Sequence, residues 1–183
     1  ISGVRRIGRE WVLLFSLCSR RERARVGDTG SDLLILAVGN PSRGDDALGP
    51  LLLERLEALW MLGGGGKGVE LLTDFQLQIE HAVDLEGRAL VLFVDASVSC
   101  PPPYQFARLR PARDTSYTSH ALSPTAVLHV YEQINGVSPP PAFSLAIRGE
   151  RFELGESLSP GAEANLATAL EFAGRLVTQR DAE

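Results

Sequence analysis

The stretch LLILAVGNPSRGDDALG, residues 33–49, decides the fold of this chain. Its first six residues are all apolar, which is typical of a strand covered on both faces. A Gly-Asn-Pro turn at 39–41 ends that strand. Leucines then recur at helical spacing over residues 47–62, which predicts a helix. The stretch therefore predicts a strand, a turn and a helix, with the adjacent carboxylates Asp45 and Asp46 at the junction.

Two adjacent acids at the start of a helix have two interpretations. An aspartate there can cap the helix, because its side-chain oxygen accepts hydrogen bonds from the free amides of the first turn. Paired carboxylates at the end of a buried strand are also typical of a functional site, since ligands bind outside the carboxyl ends of strands in open α/β sheets. The residues alone leave both interpretations open for Asp45 and Asp46.

Length and composition predict one globular domain. The chain has 183 residues, of which 44% are hydrophobic and 22% charged, and its formal net charge is -5. That charge disfavours a nucleic-acid partner. The two cysteines, Cys18 and Cys100, are too few for a disulfide framework or a four-thiolate metal site. A reducing compartment, the cytoplasm, is the expected location.

The arginine-rich start of the chain differs from the remainder. Its only apolar run, Trp11–Leu17, is far too short to span a bilayer. No small-residue cleavage site follows that run, so an export signal is disfavoured. We predict a poorly ordered extension over residues 1–31, a folded domain over residues 32–180, and no membrane association.

The remaining pattern alternates strands with helices. Further strands are predicted at 69–73, 89–94, 104–109 and 143–147, and further helices at 75–85, 125–134 and 161–179. The strand at 104–109 is expected at an edge, because prolines flank it. The fold class is α/β: a three-layer sandwich with a mostly parallel, twisted sheet of about five strands and helices on both faces.

Two further polar residues are expected at the edge of the sheet that holds Asp46. Asp95 follows six apolar residues and is placed at the carboxyl edge of a central strand. His120 lies on a loop before a helix that begins with Ser123 as cap and Pro124 in its first turn. The alternatives are an aspartate that bonds nearby loop amides and a histidine that is only a surface residue.

Two carboxylates and one imidazole can bind a divalent transition metal such as zinc or nickel. Other chemistries have less support, because no H-E-x-x-H, G-x-S-x-G or G-x-G-x-x-G motif is present. The glycine run at 63–66 follows a helix and precedes a strand, so it is a linker and not a phosphate loop. A small nucleotide-binding α/β enzyme would need such a loop.

Three motifs in the same order and register resemble those of a known family. GNPSRGDDALGP at 39–50, LFVDAS at 92–97 and SHALSP at 119–124 are similar to segments of the hydrogenase maturation endopeptidases, the C-terminal processing proteases of nickel–iron hydrogenases. The resemblance covers roughly residues 33–177. The segment TDFQLQIEHAVDL at 73–85 further resembles the branch that serves soluble NAD-reducing or bidirectional hydrogenases.

This resemblance implies a nickel-dependent endopeptidase that removes a C-terminal peptide from the nickel-loaded precursor of the hydrogenase large subunit. The family's metal ligands fall on Asp46, Asp95 and His120, and Asp45 becomes a neighbour that orients a water or caps the helix. The metal is nickel held by the substrate, and zinc or cadmium could take its place in a crystal. The alternative function is a non-catalytic metal-recognition module that binds the loaded precursor without cutting it.

The chain carries the shorter of the family's two acids at position 46, and it departs from the family pattern after the second strand. Asp46 stands where relatives carry Glu or Asp, and the shorter side chain changes the reach toward a metal. A glycine turn that is common in relatives after the second strand is replaced here by the residues Asp74, Phe75 and Gln76. The substrate groove is therefore expected to differ from that of such relatives.

Overall fold

The computed structural model of the chain describes residues 32–113 and 122–181. The predicted extension 1–31 and the segment that carries His120 lie outside the described residues. No helix in the described part of the chain is both long and apolar enough to cross a membrane.

A mostly parallel sheet with the strand order β2-β1-β3-β5-β4 forms the centre of the fold. Only β4 runs antiparallel, and it pairs with β5 at one edge of the sheet. The α/β sandwich with an edge strand after β3 is thus confirmed. The strands are β1 (Leu33–Val38), β2 (Val69–Asp74), β3 (Leu90–Ser97), β4 (Tyr104–Arg108) and β5 (Ala142–Arg148), and the helices are α1 (Leu48–Gly63), α2 (His81–Asp84), α3 (Pro124–Asn135) and α4 (Pro160–Asp181).

Strand β1 is buried along its whole length, as its apolar sequence predicts. Side chains alternate between the two faces of a strand. Leu34, Leu36 and Val38 join a cluster with residues of α2 and α3, while Leu33 and Ile35 face the other layer. That second layer is formed by α1 and α4, which contact each other, β1 and β5. Helices therefore cover both faces of the sheet.

Helix α3 begins as its sequence predicts. The Ser123 hydroxyl accepts a hydrogen bond from the Ala126 amide at 3.2 Å, and Pro124 occupies the first helical position. A proline is favoured there because its missing N–H would have no partner in the first turn.

The predicted helix over Phe75–Leu85 is wrong for most of its length, since only the four residues of α2 are helical. Two side chains bind main-chain amides in this segment, and one of these amides, that of Gln78, would otherwise bond within the helix. Asp74 Oδ1 accepts from the Phe75 amide at 2.6 Å, and His81 Nδ1 accepts from the Gln78 amide at 2.9 Å. Such local bonds compete with helix formation.

Strand β3 is longer than its apolar run predicts. Pairing with β5 continues beyond Val94 to Ser97, so that Asp95 lies opposite Ala146 within the ladder. The sequence ends the strand at its last apolar residue, but the neighbouring strand extends the hydrogen bonding by three residues. Asp95 is therefore a strand residue and does not follow the strand.

Candidate metal-recognition site

The turn after β1 presents Asp46 at the carboxyl edge of the sheet. The Asn40 amide donates to Asp46 Oδ2 at 3.0 Å, and the Asn40 side chain accepts from the Ser42 amide at 2.9 Å. The Asp46 amide donates to the Arg43 carbonyl at 3.1 Å. These bonds fold residues 40–46 into a compact turn that leaves the Asp46 carboxylate partly exposed.

Gly49 explains how α1 comes so close to the strand ends. A Cβ atom added at Gly49 would lie 2.5 Å from the Val38 carbonyl oxygen and 3.2 Å from that of Val94. The first turn of α1 thus lies directly on the carboxyl ends of β1 and β3, and only glycine leaves room for that approach. Asp46 is three residues earlier in the chain, at the same edge.

Asp95 reaches this edge from the central strand β3. Its Oδ1 accepts a hydrogen bond from the Ala96 amide at 2.7 Å. Although the residue is exposed, the surrounding protein removes much of its hydration and raises the pKa of the Asp95 carboxyl to about 6, and the nearby Asp46 carboxylate adds to the rise. Tertiary structure therefore brings Asp46 and Asp95 into electrostatic contact, although 49 positions separate them in the sequence.

The third predicted ligand, His120, lies outside the described residues, and its place in the site stays a prediction. The described chain on either side of residues 114–121 is tied to other elements. The Ala112 amide donates to the Thr125 carbonyl at 3.0 Å, and the Leu122 amide donates to the Leu77 carbonyl at 3.2 Å. Within residues 32–113 and 122–181, no three His, Cys, Asp or Glu side chains are grouped so that they could hold a metal ion.

Asp45 has a different environment from Asp46, since none of its surface is exposed. Its Oδ2 accepts from the Glu150 amide at 2.7 Å, the Arg151 amide at 2.9 Å and the Ser159 hydroxyl at 2.8 Å, and its Oδ1 accepts from the Ser159 amide at 2.7 Å. Burial alone would raise the pKa of Asp45, but these four hydrogen bonds outweigh it and lower the pKa below its usual value.

Helix capping, the alternative for both aspartates, is not observed. Neither the 3₁₀ turn at Gly44–Ala47 nor α1 has a hydrogen bond from a side chain at its cap position. The Asp45 carboxylate instead binds the loop after β5 and the start of α4. Sequence reasoning missed this contact, because its partners lie more than a hundred residues away.

Asp74 and His81 form a further polar pair at the same edge of the sheet. Asp74 ends β2 and lies opposite Val38 of β1. His81 Nε2 is 3.4 Å from Asp74 Oδ2, and His81 Nδ1 accepts from the Gln78 amide. Because Nδ1 accepts, Nε2 is the ring nitrogen that can donate, and it faces the Asp74 carboxylate. His81 itself is buried, with 6% of its surface exposed.

Comparison with known proteins shows which solved structures share this fold. No protein-family model matches the sequence, and no curated protein sequence matches it. Among solved structures, the NiFe hydrogenase maturation protease HycI from Thermococcus kodakarensis is 21% identical, with a TM-score of 0.62 over 84% of this chain and 96% of that one. The hydrogenase maturating endopeptidase HybD from E. coli is 26% identical, with a TM-score of 0.58 over 77% and 88%.

A solution structure of an endopeptidase from Escherichia coli is similar as well, at 23% identity and a TM-score of 0.62 over 81% of this chain and 93% of that one. The assignment to the branch that serves soluble hydrogenases stays a prediction, because these comparisons do not separate branches. Residues 39–50 and 92–97, which carry two of the family-like motifs, form the edge where Asp46 and Asp95 meet. The chain has the fold of these hydrogenase maturation endopeptidases, which confirms the resemblance of its sequence at the level of the fold.

Proposed function

We propose that this chain is a hydrogenase maturation endopeptidase, which removes a C-terminal peptide from the precursor of a nickel–iron hydrogenase large subunit. The observation that carries the proposal is that the turn holding Asp46 contacts β3, which holds Asp95, at the carboxyl edge of a sheet whose fold is that of hydrogenase maturation proteases. Because a fold alone does not establish a function, the proposal also depends on the two carboxylates at this edge.

The carboxylates suit a metal ion that arrives with the substrate. In this proposal Asp46 and Asp95 bind the nickel of the loaded precursor, and His120 is the third ligand. Carboxylate oxygens together with an imidazole nitrogen suit nickel, zinc and related divalent ions. Loss of hydration, and then the charge of Asp46, raises the pKa of Asp95, and a cation between the two carboxylates relieves their repulsion. Binding at this point holds the C-terminal tail of the precursor against the edge of the sheet.

A nucleophilic residue of the protease itself has no support among the described residues of this edge. Cys100 is buried, and its Sγ donates to the Ala146 carbonyl at 3.4 Å. The Ser159 hydroxyl is also buried and donates to Asp45. Because Cys100 and Ser159 are both buried and hydrogen-bonded, the proposal assigns the attack on the scissile carbonyl to a water, with the substrate's metal as a Lewis acid.

The segment between β2 and α2 supports a protein as substrate. Phe75 and Ile79 are exposed, although large apolar side chains are usually buried, while Leu77 between them is buried. The segment follows β2, whose carboxyl end lies beside that of β1. In this proposal Phe75 and Ile79 contact an apolar part of the precursor next to the bound metal.

The expected partner is thus the precursor large subunit and neither a nucleic acid nor a membrane. The net charge of -5 argues against nucleic acid. The resemblance of residues 73–85 points to the precursor of a soluble, cytoplasmic hydrogenase, and cytoplasmic location is part of the proposal.

The decisive experiment is mass spectrometry of a nickel-loaded precursor after incubation with this protein. We expect the large subunit to lose a C-terminal peptide, and a nickel-free precursor to stay intact under the same conditions. Asp46→Asn and Asp95→Asn are expected to slow the cleavage about a hundredfold or more, because loss of outer-sphere partners of a metal site alone costs about 10- to 100-fold. Both variants should keep the fold.

Two results would contradict the proposal. An uncut precursor that nevertheless binds tightly would identify the chain as a metal-recognition module that checks the precursor without cutting it. Cleavage at the normal rate by Asp46→Asn or Asp95→Asn would remove that residue from the site. A matching His120→Ala variant tests the third ligand in the same assay.

A further inference from the structure

Asp45 joins the turn after β1 to the loop after β5 and to the start of α4, two consecutive segments more than a hundred residues away. Its carboxylate binds the loop of residues 150–159, which we call the clamp loop, through the amides of Glu150 and Arg151 and through both the amide and the hydroxyl of Ser159. The Ser159 hydroxyl also accepts from the Ala162 amide in the first turn of α4 at 3.2 Å. A single buried carboxylate thus fastens the turn after β1 to the clamp loop and to α4.

Three main-chain bonds and one bond from the Arg43 side chain fasten the turn and the clamp loop to each other along their length. They run between residues 42–45 of the turn and residues 151–156 of the clamp loop. The Asp45 amide donates to the Arg151 carbonyl at 2.7 Å, the Gly44 amide to the Glu156 carbonyl at 3.1 Å, the Gly155 amide to the Ser42 carbonyl at 2.8 Å, and Arg43 Nε to the Phe152 carbonyl at 3.2 Å.

Packing leaves the turn no room to move toward the clamp loop. A Cβ atom at Gly44 would lie 2.6 Å from the Arg151 carbonyl oxygen, and Gly44 has a φ of +54°. A Cβ atom at Gly149 would lie 2.9 Å from Asp45 Cβ. Both positions require glycine, for backbone conformation or close approach. The turn is held by hydrogen bonds and by steric contact at the same place.

The side chain of Asp46 has far fewer bonds than that of Asp45. Among the described residues, one hydrogen bond reaches its carboxylate, from the Asn40 amide. One bond at a partly exposed position does not fix a side chain, whereas a buried carboxylate with four donors is costly to displace. The position of Asp46 therefore depends on the backbone that Asp45 anchors.

We propose that Asp45 is a positioning residue that, through the clamp loop and Ser159, fixes the turn that presents Asp46 to the metal of the substrate. This inference rests on the proposed function, and it assigns Asp45 no contact with the substrate. The adjacent aspartates thus have different roles. Asp46 lies at the edge of the sheet, and Asp45 anchors the backbone of the turn that carries Asp46.

The first test is amide hydrogen exchange in the free protein. Ser159→Ala removes one donor to Asp45 and leaves the other three bonds. We expect the Asn40 amide, which reports the place of the Asp46 carboxylate, to exchange about tenfold faster, the effect of losing one hydrogen bond to a charged group. The Gly39 amide, which donates to the Asp74 carbonyl at 3.1 Å, is the internal reference and should change less.

Arg55→Ala is the matched control variant. It removes the paired bonds of 2.6 Å and 2.9 Å from Arg55 to Glu163 in the first turn of α4, and so loosens the start of this helix without touching Asp45. If Ser159→Ala were to unfold, Gly149→Ala takes its place; it keeps every polar group, and its added methyl presses on the Phe152 ring of the clamp loop (2.7 Å) and on Asp45 Cβ (2.9 Å). Unchanged exchange at Asn40, or equal changes in the variant and in the control, would overturn the inference.

The second test compares the affinities for nickel-loaded and nickel-free precursor. Mere destabilisation lowers the folded fraction and weakens both affinities equally, so their ratio stays constant. We expect the ratio to fall about tenfold in Ser159→Ala and to stay unchanged in Arg55→Ala. A constant ratio in Ser159→Ala would contradict the inference. If the wild-type protein itself shows no preference, the proposed recognition of nickel fails, and Asn40 exchange still decides the role of Asp45.

Discussion

At the residue scale, charge and burial separate three aspartates that resemble one another in the sequence. Asp45 is buried and has four donors, Asp46 is partly exposed with one, and Asp95 is exposed but poorly hydrated. The four donors lower the pKa of Asp45. Loss of hydration, and then the charge of Asp46, raises the pKa of Asp95. Neighbouring carboxylates that face an open edge destabilise the protein in the absence of a cation.

Asp95→Asn is therefore expected to make the free protein more stable at pH 7. Because the pKa of Asp95 in the folded state is raised to about 6, the folded protein binds this proton more tightly than the unfolded chain does. The wild-type protein thus gains relative stability as the pH falls through 6, and the advantage of the variant should disappear below about pH 4, the usual pKa of an aspartate. Thermal unfolding of both proteins at pH 7, 5 and 4 measures this. An advantage that is the same at every pH would contradict the prediction.

At the element scale, the strand ends and the segments that follow them determine the site. The sequence predicts the positions of β1, α1, α3 and α4 well. Their apolar patterns are long, and residues that end strands or cap helices mark their bounds. It fails between β2 and α2, where the Asp74 and His81 side chains bind nearby amides and prevent a longer helix. It also ends β3 too early, because pairing with β5 is invisible in the sequence of β3 itself.

Gly49→Ala tests whether α1 has to pack closely against the carboxyl ends of β1 and β3. Since the added methyl group would lie 2.5 Å from the Val38 carbonyl oxygen, the helix has to shift. We expect a loss of about 1–3 kcal/mol in the free energy of unfolding, typical of overpacking, together with slower cleavage of the precursor. Denaturant unfolding measures the first effect. Gly63→Ala is the control at the other end of α1, where a Cβ meets nothing within 4 Å, and it should cost no stability. Equal losses in the two variants would refute the argument.

Phe75→Ser tests the apolar segment after β2. The side chain is 69% exposed, so its loss should change the free energy of unfolding by no more than about 0.5 kcal/mol. If Phe75 contacts the precursor, the affinity should fall about 5- to 10-fold, as for an aromatic residue in an interface. Leu62→Ser is the matched control, because Leu62 is 90% exposed near the far end of α1. A titration of fluorescent precursor measures both, and an effect of equal size at Leu62 would argue against a specific contact.

At the scale of the whole molecule, strand order decides which residues meet. The order β2-β1-β3-β5-β4 places the ends of β2, β1 and β3 side by side, so that Asp74, Asp46 and Asp95 reach one edge. The clamp loop leaves β5 and returns to the turn after β1. Each of these meetings depends on parallel pairing between strands with crossover connections, which local sequence does not specify.

A chain that begins at Asp32 is expected to fold as stably as the longer one. The ordered sheet is already anchored there, because the Asp32 carbonyl accepts from the Ala89 amide at 2.8 Å and the Leu33 amide donates to the Gly68 carbonyl at 3.1 Å. The boundary between residues 1–31 and the domain of residues 32–180 stays a prediction until this is measured. Thermal unfolding of both chains is the test, and a drop of more than about 5 °C, roughly 1 kcal/mol, in the shorter chain would place structural contacts within residues 1–31.

The sequence by itself determined the fold class and β1 with its following turn and helix, and it predicted which residues bind a metal. These features follow from local periodicity and from residues that end strands or begin helices. Tertiary structure alone decided how Asp45 and Asp46 differ, because the four donors to Asp45 come from residues 150, 151 and 159. The physical reason is that burial and hydrogen bonding are properties of the folded surroundings, which two identical neighbouring side chains do not share.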